Sequence, residues 1–185
     1  MGGPAQGAPP AEVHVDAFDD YFLPSLLTVR RGGTVVWDFT GLRTHTATDE
    51  SGLGLYDSGL VSPGGPSFSF TFASAGTYRF VCTLHEGMDG RISVPMHAAP
   101  REGAITRTFN VRWSKTDAPS GFVFDVRIRL KAGVWQPWLD GVSFRNAVFH
   151  PEGVGKVRFA ARLRSLGSGA ASEWSEAVPI HVNEG

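Results

Sequence analysis

Apolar and polar residues alternate with a period of two through most of this chain, and no ten-residue segment carries the 3.6-residue stripe of an amphipathic helix. Val13 and Val15 oppose His14 and Asp16. Leu27 and Val29 follow Pro24, and Arg31-Gly32-Gly33 then turns the chain. Val35, Trp37 and Phe39 alternate with Thr34, Val36 and Asp38, and Phe68, Phe70 and Phe72 alternate with Ser69 and Thr71. After Gly76, the residues Tyr78, Phe80 and Cys82 share one face, so the thiol arrives at a strand end on the core side. Ile92 and Val94 supply a last short strand. The run 96–103, entered through Pro95, has a second proline and no periodicity, which predicts a linker. Alternation then resumes. Phe122, Phe124, Val126, Ile128 and Leu130 oppose Asp125, Arg127, Arg129 and Lys131, while Val157, Phe159, Ala161 and Leu163 oppose Arg158, Arg162 and Arg164. The pattern predicts an all-β chain of two β-sandwiches in tandem, over 11–95 and 104–183. The Gly/Pro/Ala-rich segment 1–10 reads as a flexible linker or a fusion scar.

Composition adds constraints. A length of 185 residues is comfortable for two small sandwiches. One cysteine excludes an intrachain disulfide, so stability must come from apolar cores. No apolar run is long enough to cross a bilayer. The first ten residues lack the apolar region of a signal peptide, so the signal or anchor of an exported protein is not expected within this chain. Net charge is −1, but the halves differ: five arginines face ten acids over 1–100 (−5), and twelve bases face eight acids over 101–185 (+4). That asymmetry suits two domains with different faces.

The chemistry concentrates in Cys82-Thr83-Leu84-His85-Glu86-Gly87-Met88. A lone cysteine is ordinarily a small buried hydrophobe. Here a histidine and a methionine follow at successive steps of three, and with 6 histidines and 3 methionines in 185 residues chance fills both offsets only about once in two thousand cases. Thiolate, imidazole and thioether are the soft and borderline donors that suit copper, and His45, in its own polar turn Thr44-His45-Thr46, offers a second imidazole. Two histidines and a cysteine in a plane with a weak axial methionine make an electron-transfer copper geometry. The predicted ligands are therefore His45, Cys82, His85 and Met88. Gly87 and Gly90 allow the tight loop, and Trp37, Phe39, Phe80 and Leu84 are the expected apolar shell. His14, His97, His150 and His181 have no ligand spacing to one another and read as structural or surface groups.

On these residues the first half resembles a cupredoxin, the plastocyanin and amicyanin family of small blue copper proteins. The signs are Phe22-Leu23-Pro24, Gly33-Thr34-Val35-Val36-Trp37, His45, Gly76-Thr77-Tyr78 and Cys82-x-x-His85-x-x-Met88. The short gaps between ligands are most like amicyanin. The resemblance implies a Greek-key sandwich, one type 1 copper per chain, an extracytoplasmic location (periplasmic, cell-surface or secreted), and an electron port at the edge of His85. Leu42 and Leu84 are candidates for an apolar collar around that port, with Leu53 and Leu55 beside them. Two departures stand out. The asparagine that often follows the first histidine and ties the ligand loops together is Thr46, and the proline that often follows the second is Glu86. Asp49, Glu50, Asp57, Glu86 and Asp89 are candidates for steering a basic partner.

The second half is similar to a fibronectin type III domain, an immunoglobulin-like sandwich, on the strength of its alternation, Trp113 and Ser172-Glu173-Trp174-Ser175; the usual corner tyrosine appears as Val157. Its arginines predict a basic face on which Trp174 stacks by cation–π contact, with docking of an acidic polymer, of a partner or of the acidic first domain as the functional alternative. Arginines without interleaved aromatics are a weak nucleic-acid footprint. The leading expectation is a one-electron carrier with the second sandwich as tether or partner-binding module. The alternatives are copper sequestration or delivery, and a non-redox adhesion or scaffold protein. Catalysis is not expected: there is no His-x-His pair for further copper, no Ser-His-Asp order, no paired acids and no phosphate loop.

Overall fold

The structure, a computed structural model, describes residues 8–185; most of the segment 1–10 expected to be flexible lies outside the described residues. The described chain is all β, with no helix. In the first half, β1 (Glu12–Ala17), β2 (Phe22–Leu23), β3 (Leu26–Thr28), β4 (Gly33–Phe39), β5 (Thr48–Asp49), β6 (Phe68–Phe72), β7 (Gly76–Val81) and β8 (Asp89–Val94) form two four-stranded sheets, ordered β2-β1-β4-β6 and β3-β8-β7-β5. The strands follow the period-two pattern: β4 buries Val35, Trp37 and Phe39 and turns Thr34, Val36 and Asp38 outward. β1 runs parallel to β4 and sets Val15 beside Trp37. The opposite sheet contributes Tyr78, Phe80 and Ile92, all buried. Trp37 meets Phe80 edge-on at 5.6 Å between ring centres, and Phe22 meets Phe80 at 4.9 Å. Edge contacts of this kind add about 0.5–1.5 kcal/mol each beyond the area they bury, so the rings under the ligand loop form its firmest support.

The second half contains β9 (His97–Ala99), β10 (Glu102–Ala104), β11 (Phe109–Arg112), β12 (Phe122–Leu130), β13 (Gln136–Val142), β14 (Asn146–Phe149), β15 (Gly155–Ser165) and β16 (Val178–Asn183). They form a three-stranded sheet β14-β11-β9 and a five-stranded sheet β10-β16-β15-β12-β13. The run 96–103, expected to be a linker, holds β9 and the start of β10, each paired into a sheet of this half. Strands of three residues are too short to display alternation, which is why the pattern missed them.

More than this crossover joins the halves. Ala75 N donates to Trp113 O at 2.7 Å and Lys115 N to Ala73 O at 2.9 Å. Thr77 and Glu173 exchange two backbone hydrogen bonds, both 3.0 Å. Arg91 adds an ion pair to Glu173 at 3.6 Å. A strand of the first sandwich is thus clamped to the second, five residues before Cys82.

The basic face is internally engaged. Arg127 lies over both Trp135 and Trp174, 4.4 Å from each ring centre, and Arg162 lies 4.6 Å from Trp174. The stacking of Trp174 matches the sequence-based expectation; Trp135 was not anticipated. Asp125, expected on the solvent side of β12, is 3 % exposed. It is held by Arg162 Nε at 2.9 Å, Arg164 Nη2 at 2.8 Å and Gly141 N at 3.1 Å. Arginine partners on the neighbouring strand let a carboxylate sit where alternation alone would not place it.

Candidate metal centre

Strand β7 carries Tyr78 and Phe80 inward and delivers Cys82 just past its end, 3 % exposed. Two short turns follow. His85 N donates to Cys82 O at 3.4 Å and Met88 N to His85 O at 3.3 Å, so each step of three residues folds the chain back on itself. Cys82 N donates to Met88 O at 2.9 Å and closes the loop. Val81 then pairs with Asp89 and Phe80 with Gly90 as β8 begins. Gly87 takes φ +76°, a left-handed turn that costs glycine little. Gly90 is required for space: a Cβ there would lie 2.3 Å from Phe80 Cζ and 2.6 Å from Ser25 O.

His45 comes from the connection between β4 and β5, where it exchanges backbone hydrogen bonds with Val61 at 3.0 and 2.9 Å. Its side chain is fully buried. His45 Nδ1 lies 3.7 Å and His85 Nδ1 3.3 Å from Cys82 Sγ, and the two imidazole centres are 4.7 Å apart. The three donor atoms fall within 4.8 Å of one another, the only such group of His, Cys, Asp and Glu among the described residues. Met88 is 1 % exposed and lines the same cavity as Cys82 and His85.

The residues fit a metal ion. Bonds of about 2.0 Å to nitrogen and about 2.3 Å to sulfur, opened to about 120°, would set the two atoms about 3.7 Å apart. The His45 nitrogen, 3.7 Å from the sulfur, meets that span, and the His85 nitrogen, at 3.3 Å, lies slightly inside it. Burial, followed by the neighbouring His85 and then by Arg43, holds the His45 imidazole below its ordinary pKa, against the opposing pull of Asp19 and Asp20. That direction favours the neutral form, which a metal ligand must have.

Thr46 ties the two ligand segments. Its N–H points at Cys82 Sγ at 3.5 Å. Its Oγ1 accepts from Thr83 N at 2.9 Å and from Thr48 Oγ1 at 3.0 Å, and lies 3.2 Å from Thr83 Oγ1. A threonine thus makes the link for which the resemblance leads one to expect an asparagine. Sequence reading noted the departure and missed the function. The only available signal was a hydroxyl beside a ligand, which becomes specific once Thr83 is known to face it.

Of the expected collar, Leu42 is 84 % and Leu84 50 % exposed, whereas Leu53 is buried at 7 % and Leu55 half-buried. Leu53 therefore belongs to the core. Leu84, expected also in the inner shell, lies on the surface, leaving Trp37, Phe39 and Phe80 as the buried backing. Among the candidate steering acids, Asp49 accepts from Ser51 and Leu55 N, Asp57 from Thr48 and Gly59 N, and Glu50 pairs with Arg79 at 3.2 Å. Those three shape loops; Glu86 and Asp89 remain exposed beside the ligands. His14 pairs with Asp38 at 2.6 Å, away from any donor cluster.

Residues 11–95 match the family model for copper binding proteins of the plastocyanin/azurin family. Among solved structures, a mutant amicyanin in its reduced Cu(I) form is 27 % identical, with a TM-score of 0.41, over 48 % of this chain and 86 % of that one. A mutant plastocyanin of fern is 27 % identical, with a TM-score of 0.40, over 44 % of this chain and 99 % of that one. The copper-containing nitrite reductase from Thermus scotoductus SA-01 is 23 % identical, with a TM-score of 0.41, over 51 % of this chain and 24 % of that one. With a matching family model and His45, Cys82, His85 and Met88 arranged as a type 1 copper site, residues 11–95 are a cupredoxin domain of the plastocyanin/azurin family.

Proposed function

We propose that the chain is a carrier of single electrons. The observation that carries this reading is the convergence of His45 Nδ1, Cys82 Sγ and His85 Nδ1 in one cluster, with Met88 lining the same cavity as Cys82 and His85. Copper held by these side chains would supply a one-electron Cu(I)/Cu(II) couple. The protein's part is to keep the donors still and the back of the site dry. Thr46 and the Cys82–Met88 hydrogen bond fix the two loops against each other. Trp37, Phe39 and Phe80 exclude water from behind. His85 is half-buried, and with exposed Leu42 and Leu84 it is our candidate electron port. We place the protein outside the cytoplasm by its family resemblance.

We read the second half as a fibronectin type III-like sandwich serving as tether or partner-binding module. With β10 set aside as an added edge strand beside β16, lettering in chain order makes β9-β11-β14 A-B-E and β13-β12-β15-β16 C′-C-F-G; this strand order supports the reading.

The test is to add Cu(II) to the reduced apoprotein. An intense thiolate-to-copper visible band with a reversible potential is expected. Cys82→Ser should abolish the band, while Met88→Leu should keep it and shift the potential. A Cys82→Ser protein that stayed coloured would refute the ligand assignment. Tight copper binding without a reversible potential would favour sequestration or delivery instead.

A further inference from the structure

β7 runs into the ligand loop and β8 runs back from it, so Pro95, just beyond β8, lies a strand's length from the donors, about 20 Å. A cleft of about 1000 Å³ opens at that far pole, between the two sandwiches. It is lined by Arg30 and Arg31 of the first half, His97 and Arg101 of the crossover, and Arg112 and Lys115 of the second half; the one carboxylate there is Glu176. No side-chain carboxylate lies within ion-pair distance of any of the five cations among the described residues; elsewhere Arg43, Arg79, Arg91, Arg162 and Arg164 have such partners, and Arg127 and Arg129, which lack one, stack on Trp135.

The cluster is built by the fold. Cross-strand pairing of β9 with β11 sets Arg112 directly opposite His97. Arg31 is anchored by a hydrogen bond from Nη1 to Pro95 O, and Arg101 Nη1 donates to Pro179 O at 3.2 Å. Convergence has an electrostatic cost. Burial, then the charge of Arg112, holds Arg31 down to about 10. Burial, then Arg31, Arg101 and Arg112, holds His97 below its ordinary value. A fold that gathers five cations around a single carboxylate leaves most of that repulsion to be relieved by an anion.

We propose that this cleft binds a small multivalent oxyanion of the condensed-phosphate class across the junction of the two sandwiches. Guanidinium forks match phosphate oxygens in pairs. A single phosphate would neutralise less than half of the five charges and fill little of the volume, whereas a short phosphate chain reaches cations from both halves at once. The ligand would thereby bridge the sandwiches at the end remote from the metal centre.

The experiment titrates tripolyphosphate, pyrophosphate, inorganic phosphate and a hexaglutamate peptide into the full chain by calorimetry at constant ionic strength. Saturable one-to-one binding is expected, tightest for tripolyphosphate and weakest for phosphate. Arg101→Gln and Arg112→Gln should each weaken tripolyphosphate about fivefold, the effect of one unit charge at about 4 Å in water. Arg158→Gln, outside the cleft, should bind as the unaltered protein does. In the unaltered chain, saturation with tripolyphosphate should also raise the His97 pKa followed by NMR, measured at constant ionic strength against the same chain without ligand. The copper band of each variant reports whether its first domain is intact, so failure here is separable from failure of the redox reading. Absence of saturable binding, equal weakening by Arg158→Gln, or tighter binding of hexaglutamate than of tripolyphosphate overturns the proposal.

Discussion

Replacing Thr46 by valine keeps the side chain's shape and removes its oxygen. Thr83 N–H then loses its acceptor at 2.9 Å, while Thr48 Oγ1 keeps a second partner in Asp57 at 3.1 Å. One unsatisfied buried donor costs about 1–3 kcal/mol. Thr83 is exposed as a residue, so water can partly replace the lost acceptor, and we expect about 1–2 kcal/mol in the apoprotein. For a chain of this size that corresponds to a fall in Tm of roughly 2–8 °C. The backbone N–H of Thr46 remains aimed at Cys82 Sγ, so the visible band of the copper-loaded variant should persist. Thr46→Ser restores the oxygen and should recover most of the loss. The assay is thermal and urea unfolding of all three apoproteins, with visible spectra after loading. If Thr46→Val unfolded like the unaltered protein, or the serine variant failed to recover, the loop-tying role would be refuted.

Other outcomes follow from contacts elsewhere in the fold. Asp125→Asn strands Arg162 and Arg164 and should cost about 3–5 kcal/mol at neutral pH. Burial alone would raise the Asp125 pKa, but Arg164, Gly141 N–H and Arg162 together hold it well below its ordinary 3.8. Its contribution is therefore complete above that value and is lost as pH falls toward the depressed one, so urea unfolding from neutral to acid pH should show the gap to Asp125→Asn closing only below about pH 4. Gly90→Ala forces a methyl against Phe80 at 2.3 Å and should lower stability by about 1–3 kcal/mol in urea unfolding. Trp174→Ala removes the ring faces under Arg127 and Arg162 and should lower stability by about 2 kcal/mol; an unchanged urea midpoint would show that the stack contributes nothing.

The strands were legible wherever alternation ran for five residues or more, as in β4, β6, β7 and β12. Burial of one face imposes that period, and a one-residue slip would expose the core side. Short strands such as β9 and β10 escaped, because three residues carry no measurable period. Acids misled where a partner lay on another strand: Asp125 alternates with the apolar face yet is buried by arginines 37 and 39 positions away. Asp49 and Asp57, candidates for steering, bond their own loops instead.

The spacing of Cys82, His85 and Met88 was readable in one dimension, because two three-residue turns place those donors through local backbone geometry alone. The sequence also determined that a strand would end at Cys82 with its thiol facing inward. Only the tertiary structure decided that His45, 37 positions away, meets that thiol, that Thr46 ties the two loops, and that six basic side chains from three segments converge in one cleft. Local order follows from chain period and turn chemistry. Long-range meetings depend on which sheets pack together, and that choice is made by the whole core at once.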